Sequence, residues 1–418
     1  MTTELTGRYF ISYRRSPARA VGTIEAERLR NALRDRGAPT WRDIDDLAAE
    51  PTEDDLVATL HDPQIAGAIM LVSPEVAASP IIKKVEAHRI FRRHAAKDGF
   101  FVKPVLINLN YNEANIALDA PAGFQDLGDW NLHKISGDTL TDDDAREIAR
   151  SIVTTRLVAL SADNATAPLD IGLFSRRGGG PGPFALRFDY SPYFVGRQPT
   201  EGAFGIIETA LTDSASAAMA AHNNVIITGQ GNASLPIGVL FGAVFSPLAG
   251  CRVSWQQAMP GHAPTYWSFE VTPVTADLKV RIVPGDPDSE DVVLALGISA
   301  NTETAVTEFL NGTGLKPRAS LHVSRNAGSM PQGTALTPED GAAIVLQTVE
   351  AVRTLKDDLG LRRLRLHLFL ACPLAMAVLL GQKLNTFTEC VLYEHDPHAD
   401  PSYLEVHRFN PSGFSYPA

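Results

Sequence analysis

The chain is poor in cysteine and in positive charge. Its 418 residues include 3 cysteines, Cys251, Cys372 and Cys390, which are scattered and form no Cys-x-x-Cys pair. Such a set argues against a disulfide framework and against a zinc site, and it fits a reducing cytosol. The formal net charge of -11 argues against a broad nucleic-acid-binding surface, so we expect no DNA partner.

The chain also lacks long apolar runs. The longest, residues 368–380, contains Pro373 and is too short to span a bilayer. Residues 1–7 lack the basic-then-apolar pattern of a secretory signal. We therefore expect no membrane partner and a cytoplasmic location. A length of 418 residues, 44% of them hydrophobic, is enough for two or three domains with cores of their own.

Strands and helices alternate over residues 8–160. Apolar runs bounded by turn residues predict strands, and apolar residues at helical spacing predict helices. The predicted strands are 8–13, 38–41, 66–72 and 101–109, and the predicted helices are 24–36, 52–60, 81–91 and 142–160, with a turn at Ser73-Pro74. This alternation predicts an α/β fold with a parallel sheet wrapped by helices.

The helix after the third strand carries a glutamate in an apolar row. Ile82, Glu86 and Ile90 follow one another at i, i+4 and i+8, so they share one face. One interpretation is a surface glutamate that pairs with Lys83 or Arg89. The other is a site carboxylate in a cleft at the carboxyl edge of the sheet.

Three motifs in this region resemble TIR domains: FISY at 10–13, TWRD at 40–43, and IMLVSPEV at 69–76 followed by the Glu86 helix. The resemblance covers residues 1–160 and implies a flavodoxin-like fold that hydrolyses NAD+ as substrate, with no further cofactor, and with Glu86 as the catalytic residue. TIR domains usually place a serine six residues before that glutamate, followed by Trp-Cys. Here Ser79 lies seven residues before it and Ile81-Ile82 follow.

The chemistry of NAD+ cleavage fits a carboxylate, because breaking the nicotinamide–ribose bond builds positive charge on the sugar. Phe10 and Tyr13 either stack a ring of the substrate or pack within the strand. Arg14 either binds the pyrophosphate or is only solvated. The predicted substrate-binding residues are Phe10, Tyr13, Arg14, Asp43, Asp45 and Ser79.

Residues 161–183 change in composition and end in RRGGGPGP at 176–183. No helix or sheet interior accepts that sequence, so we predict a linker over 161–183 and a second domain over 184–418.

The second domain repeats a strand–turn–helix pattern. Strands at 224–228, 291–297 and 364–370 are each followed by a turn and an apolar helix. Such turns present backbone N–H groups at a helix N-terminus, which suits a phosphate. Trp255 is either a surface on which a base stacks or a core aromatic. The predicted ligand-binding residues are Thr228, Gly229, Gly231, Asn232, Trp255, Ser299, Ala300, Asn301, Ala371, Pro373 and Leu374.

The segments LHLFLACPLAMAVLLGQKLN at 366–385 and VLYEHDPHADPSYLEVHRF at 391–409 resemble the C-terminal signature of SAVED domains. SAVED domains resemble two fused CARF-type, Rossmann-like sensor units and bind cyclic oligonucleotides. The resemblance covers about 184–418 and implies a TIR–SAVED effector of CBASS antiphage defence. It implies a cyclic trinucleotide as activator, with cyclic triadenylate first.

Together these resemblances predict a switched enzyme. The cyclic oligonucleotide would drive head-to-tail self-assembly, and neighbouring TIR domains would complete composite active sites that release nicotinamide from NAD+. The alternative is a non-catalytic TIR scaffold in which Glu86 is structural. The sequence leaves open the ring size of the activator, the form of the ADP-ribose product and the geometry of a filament.

Overall fold

The computed structural model divides the chain into two compact units. The first comprises Met1–Ala167 with Gly182–Phe188, and the second comprises Pro168–Pro181 with Asp189–Ala418. The residues that the structure describes are 4–14, 21–41, 53–118, 132–164, 166–176, 182–222, 224–258, 261, 263–272, 274–326, 336–414 and 416, without the side chains of Val21 and Glu53.

The first unit is an α/β fold. Its strands are β1 (Arg8–Ser12), β2 (Thr40–Trp41), β3 (Ile65–Val72), β4 (Phe101–Ile107) and β5 (His133–Ile135), and its helices are α1 (Val21–Asp35), α2 (Glu53–His61), α3 (His88–Ala95), α4 (Tyr111–Leu118) and α5 (Asp142–Asp163). A π-helical turn, Ile82–Ala87, runs directly into α3. The strands form one parallel sheet in the order β2-β1-β3-β4-β5, which is the flavodoxin-like order. The predicted fold class of this region is confirmed.

The strand β3 is the centre of this sheet. All eight of its residues are buried, because helices cover both faces of a doubly wound sheet. Its neighbours are β1 and β4, so the direction in which the sheet is built reverses between β1 and β3. The crevice outside the carboxyl ends of two such strands is where open α/β sheets bind ligands.

Arg156 on α5 binds the segment Gly182–Phe188 to the rest of the first unit. Its side chain is only 2% exposed. Its guanidinium donates to the carbonyl oxygens of Gly7 at 2.8 Å, Ala185 at 2.7 Å and Phe184 at 3.2 Å. These bonds explain why Gly182–Phe188 belongs to the first unit although it follows a strand of the second.

The second unit contains two larger sheets and a short hairpin. Its strands, in chain order, are β6 (Leu169–Phe174), β7 (Leu186–Asp189, which spans the boundary of the units), β8 (Phe194–Val195), β9 (Gln198–Pro199), β10 (Val225–Asn232), β11 (Cys251–Gln257), β12 (Thr265–Trp267), β13 (Leu278–Pro284), β14 (Asp291–Gly297), β15 (Ala319–Arg325), β16 (Arg365–Ala371), β17 (Glu389–His395) and β18 (Tyr403–Phe409). Its helices are α6 (Ala203–Ala221), α7 (Leu235–Val244), α8 (Glu303–Thr313), α9 (Pro338–Asp358) and α10 (Leu374–Gly381).

Both large sheets have a parallel centre, as Rossmann-type sheets do. In one, β10 lies between β6 and β11, parallel to both, and β12 follows β11. In the other the order is β13-β15-β14-β16-β17-β18, with antiparallel strands only at the two ends. The prediction of two Rossmann-type halves is confirmed.

Glycines let α7 and α10 pack backbone against backbone. A Cβ built at Gly242 would lie 2.0 Å from the carbonyl oxygen of Val378, and one at Gly381 would lie 2.1 Å from that of Val239. Gly238, one turn earlier on α7, faces Leu374 at the start of α10. Contacts therefore advance in the same direction along both helices, so the helices run parallel and their N-termini lie on the same side.

The predicted linker 161–183 differs from the structure. The helix α5 continues to Asp163, and Leu169–Phe174 is the strand β6. All but one of the six residues of β6 are buried, because the strand pairs with β10 inside a sheet. The glycine-rich residues that suggested a linker therefore follow a core strand of the second unit.

Candidate functional site

The carboxylate of Glu86 lies at the crevice between β1 and β3. Its side chain is 7% exposed, and its Oε2 accepts a hydrogen bond of 2.6 Å from the hydroxyl of Ser12. Ser12 is the last residue of β1, and Glu86 lies in the π-helical turn that follows β3. Inserted π turns of this kind are frequent at functional sites. Ile82 and Ile90 are buried with Glu86, which agrees with the shared face expected from their spacing.

Ser12 is the residue of this site that the sequence reasoning missed. It stands in the FISY motif, but no spacing rule connects it to position 86. The connection comes from strand pairing, because Ser12 lies opposite Met70 of β3 and thus next to the segment that leads into the Glu86 turn. This hydrogen bond fixes the carboxyl group of Glu86 in one orientation.

Three predicted substrate-binding residues lie near the same carboxyl edge. Tyr13 follows β1 directly and is buried. The guanidinium of Arg14 donates to the backbone oxygen of Glu75, in the turn after β3. Ser79 accepts from the backbone N–H of Ile82 at 3.4 Å, so its hydroxyl supports the start of the helical segment. Asp43 and Asp45 lie outside the described residues.

Phe10 corrects one prediction. Its ring is 2% exposed and stacks on Trp41 with centroids 5.0 Å apart. Both rings belong to the hydrophobic core under the sheet. Because successive strand residues point to opposite faces and this one faces the core, Phe10 packs the fold and is not available to stack on a substrate.

In the second unit the predicted turns meet at the carboxyl edges of the two sheets. Ile298 and Ser299, after β14, both donate backbone hydrogen bonds of 2.8 Å to Ala371 at the end of β16. Ser299, Ala300 and Asn301 are exposed there. The side-chain oxygen of Asn301 accepts from the N–H of Glu303 at 2.9 Å, so it supports the start of α8.

The helices α7 and α10 present their N-termini beside these turns. Each N-terminal cap, Ser234 and Pro373, makes no side-chain capping bond within the described part of the chain. The N–H of Ala375 is instead bonded by the side chain of Gln257, at 3.1 Å. Leu374, the first residue of α10, is half-buried against Gly238. Helix N-termini carry partial positive charge and unpaired N–H groups, so two side by side favour an anion.

A buried polar cluster lies next to these N-termini. The N–H groups of Ser175 and Arg176 donate to Asn232, and the guanidinium of Arg176 pairs with the carboxylate of Glu394 on β17. Burial raises the pKa of Glu394, and the charge of Arg176 counteracts that shift. Ser234 borders the same group, since its backbone N–H donates to the hydroxyl of Ser175 at 2.8 Å and its buried hydroxyl lowers the pKa of Glu394. No motif in the sequence indicated this cluster.

The predicted turn at Thr228, Gly229, Gly231 and Asn232 is corrected. All four residues belong to β10, which continues to Asn232 because β6 pairs with it up to Phe174. The turn is shorter and comprises Ala233 and Ser234. Gly231 is required by close approach, since a Cβ there would lie 1.9 Å from the carbonyl oxygen of Leu173.

Trp255 is a core residue and not a stacking surface. It is 1% exposed and packs edge-on against Phe241, with centroids 5.6 Å apart. Its ring lies flat on the backbone of Gly229, where a Cβ would come within 2.5 Å of it. The glycine and the tryptophan are therefore explained by packing.

Two further findings concern metal binding and membrane-spanning helices. In the described part of the chain no group of three or more His, Cys, Asp or Glu side chains could hold a metal ion. None of the described helices is long and apolar enough to cross a membrane.

Residues 209–408 match the family model of SAVED, the SMODS-associated and fused to various effectors sensor domain. The chain therefore contains a SAVED domain within its second unit. No curated protein matches the sequence significantly.

Solved structures of SAVED/CARF-domain containing receptors are distantly similar. The Cap4 receptor of Acinetobacter baumannii with the cyclic trinucleotide 3'3'3'-cAAA is 14% identical over 87% of this chain and 86% of that chain, with a TM-score of 0.49. The same receptor with 2'3'3'-cAAA is 13% identical over 87% and 86% of the two chains, with a TM-score of 0.48. The Cap4 receptor of Moraxella osloensis is 12% identical over 86% of each chain, with a TM-score of 0.42.

Proposed function

We propose that this chain is an antiphage effector in which a cyclic oligonucleotide, bound by the SAVED domain, activates NAD+ hydrolysis by the first unit. The sensing half of the proposal rests on the parallel pair α7 and α10, whose N-termini lie side by side within the region that matches a sensor family. The observation that carries the catalytic half is the Ser12–Glu86 pair at the sheet crevice.

The ligand is a cyclic oligonucleotide because the site suits several phosphates at once. Each helix N-terminus offers backbone N–H groups to one phosphate. Arg176 supplies a full positive charge next to β10, where Glu394 holds its guanidinium. Cyclic triadenylate is the first candidate, as the resemblance to SAVED domains implies.

Glu86 acts on the sugar of NAD+. When the bond between C1′ of the ribose and the nicotinamide nitrogen breaks, its electron pair leaves with the nicotinamide and positive charge develops on the ribose. A carboxylate that is already oriented by Ser12 stabilises that charge without reorganising. Nicotinamide leaves as a neutral base, so the site needs no strong general acid. Water then adds to C1′ to give ADP-ribose.

Activation operates through assembly. A ligand that contacts two chains stabilises the assembled form by mass action, and head-to-tail contacts propagate into filaments unless they close a ring. In the assembled form, a neighbouring chain completes the substrate site. Loss of NAD+ then arrests the infected cell.

One experiment tests both the hydrolysis of NAD+ and its activation by the cyclic ligand. Nicotinamide release from NAD+ is followed with and without cyclic triadenylate, using linear triadenylate as the ligand control. We expect release only with the cyclic ligand, and light scattering should rise in the same samples. Equal release in all samples contradicts the switch, and no release in any sample contradicts the enzyme.

Two pairs of variants assign the sites. Glu86→Gln should abolish release while scattering still rises, whereas the exposed Glu27→Gln should behave like the parent chain. Arg176→Met should weaken binding of the cyclic ligand, whereas Lys279→Met, which removes an exposed charge, should not. If Glu86→Gln leaves release intact, the catalytic assignment is wrong and Glu86 is structural, as it would be in a non-catalytic scaffold.

A further inference from the structure

Two adjoining cavities lie at the other end of α10, away from the turns described above. The larger has a volume of about 580 Å³ and the smaller about 310 Å³. They share Pro247, Gln382 and Lys383. Gln382 and Lys383 follow the last residue of α10, and the smaller cavity also touches Ile226 and Arg252, near the first residues of β10 and β11. This region is therefore distinct from the carboxyl edges of the sheets.

The cavities combine cations and apolar walls with two carboxylates, Glu350 in the larger cavity and Glu270 in the smaller, where Glu270 pairs with Arg252 at 3.3 Å. Lys383 lies at their junction, and Arg353 lines the larger cavity together with the apolar side chains of Leu248 and Leu346. The Nε of Arg353 donates to the hydroxyl of Thr386 at 3.3 Å, and its ion pair with Glu350 is loose, since the distance is 3.8 Å and both side chains are exposed. Such surface pairs contribute little, so they leave the cation available.

The position of Lys383 is not explained by the helix end alone. Cations near a helix C-terminus are favoured by the helix dipole. Its ammonium nitrogen nevertheless lies over the ring of Phe269, 4.2 Å from the centroid, where the second cavity begins. Burial, and secondly the charge of Arg353, lower the pKa of Lys383. An anion between the two cations would relieve both effects.

Gln382 adds an unsatisfied donor to this junction. It is 4% exposed, and its amide nitrogen has no hydrogen-bond partner among the described residues. A buried donor without an acceptor is destabilising, so this position favours a ligand that brings an oxygen, or an accompanying water, within its reach.

We propose that these two cavities form a second ligand site, which takes a small organic anion: a phosphate or carboxylate held between Lys383 and Arg353, on an apolar or planar body that fills the space beside Pro247, Leu248 and Leu346. The larger cavity has the volume of a small-molecule site. The site is independent of the cyclic-oligonucleotide function, so either proposal can fail alone.

The experiment measures binding to the full-length chain by equilibrium dialysis. The probes are adenosine monophosphate, octanoate and inorganic phosphate, which distinguish a nucleotide, an apolar carboxylate and the anion by itself. We expect one of the two organic probes to bind more tightly than inorganic phosphate. An excess of cyclic triadenylate should not displace it.

Lys383→Met and Arg353→Met should each weaken that binding by about tenfold, because each removes a charge-assisted contact. Lys279→Met removes an equal charge from an exposed strand and should leave it unchanged. The proposal is overturned if neither organic probe binds, if both cavity variants bind as the parent chain does, or if cyclic triadenylate displaces the probe.

Discussion

The contact between α7 and α10 gives the sharpest stability prediction. At Gly242, a Cβ would lie 2.0 Å from the carbonyl oxygen of Val378, 2.9 Å from its carbonyl carbon and 3.2 Å from the nitrogen of Gln382. All three atoms belong to the backbone of α10 or the residue after it, so no side chain can rotate to make room. Gly242→Ala must therefore push the two helices apart.

Two opposing effects determine how far Gly242→Ala changes the free energy of unfolding. Alanine favours a helix over glycine by about 1 kcal/mol. Overpacking a tight interior costs about 1–3 kcal/mol, and a backbone clash at this distance belongs at the upper end. We expect Gly242→Ala to lower the free energy of unfolding by about 2 kcal/mol, which for a unit of this size lowers the melting temperature by about 4–8 °C.

A second glycine provides the matched control. Gly205 lies in α6, and a Cβ there would meet nothing within 4 Å. Gly205→Ala should therefore gain helix propensity and raise the melting temperature. Calorimetric unfolding of both variants measures the two shifts in melting temperature, which should have opposite signs. If Gly242→Ala is as stable as the parent chain, the helices do not pack as described.

Three further predictions concern other buried groups. Ser12→Ala should slow nicotinamide release by about tenfold to a hundredfold, since a hydrogen bond to a charged group is worth about 1.5–3 kcal/mol; an unchanged rate would show that Ser12 does not position the carboxylate. Arg156→Met should lower the free energy of urea unfolding by about 3 kcal/mol, because three backbone oxygens lose their donor; a neutral change would contradict that role. Burial lowers the pKa of His367 in the folded protein, although Asp291 acts in the opposite direction. The unfolded chain therefore protonates this histidine at a higher pH than the folded chain does, and the free energy of unfolding decreases as the pH falls below about 6.5. His367→Gln should flatten that loss in urea unfolding at several pH values, and an equal slope would assign the loss to other groups.

Continuous apolar runs were the features that the sequence predicted best. The strand β14 has the predicted bounds 291–297, because a run of buried aliphatic residues ends at a turn on both sides. The short strand β5 and the helix α4 were not predicted. Pairing with β4 holds the three residues of β5, and such tertiary support leaves little trace in local sequence.

The errors in the second unit share one cause. The strand β6 was not predicted, because the glycines and prolines that follow it suggested a linker. Without β6 as a pairing partner, nothing in the sequence indicated that β10 continues through Gly231 and Asn232. The assignment of Trp255 failed for a related reason. The alternation of residues along β11 indicates that the Trp255 side chain lies on one face of the sheet. Only the contacts with Gly229 and with Phe241 of α7 show that this face is buried.

The candidate sites were partly accessible from sequence. The apolar row around Glu86 left two interpretations open, a surface glutamate and a carboxylate in a cleft, and the structure buries the side chain, which is 7% exposed. Its partner Ser12 required the register of β1 against β3. The pairing of Arg176 with Glu394 joins residues 218 positions apart, which no local pattern can indicate.

The route of the chain between the units has a consequence for dissecting the protein. A sensor fragment that starts at residue 184 would lack β6 and would expose the edge of β10 as an open template for aggregation. A fragment of the first unit that stops at residue 160 would lack Phe184 and Ala185, leaving the buried Arg156 charge without two of its acceptors. Either cut removes part of the core of the unit that it is meant to isolate, because the two units alternate along the sequence.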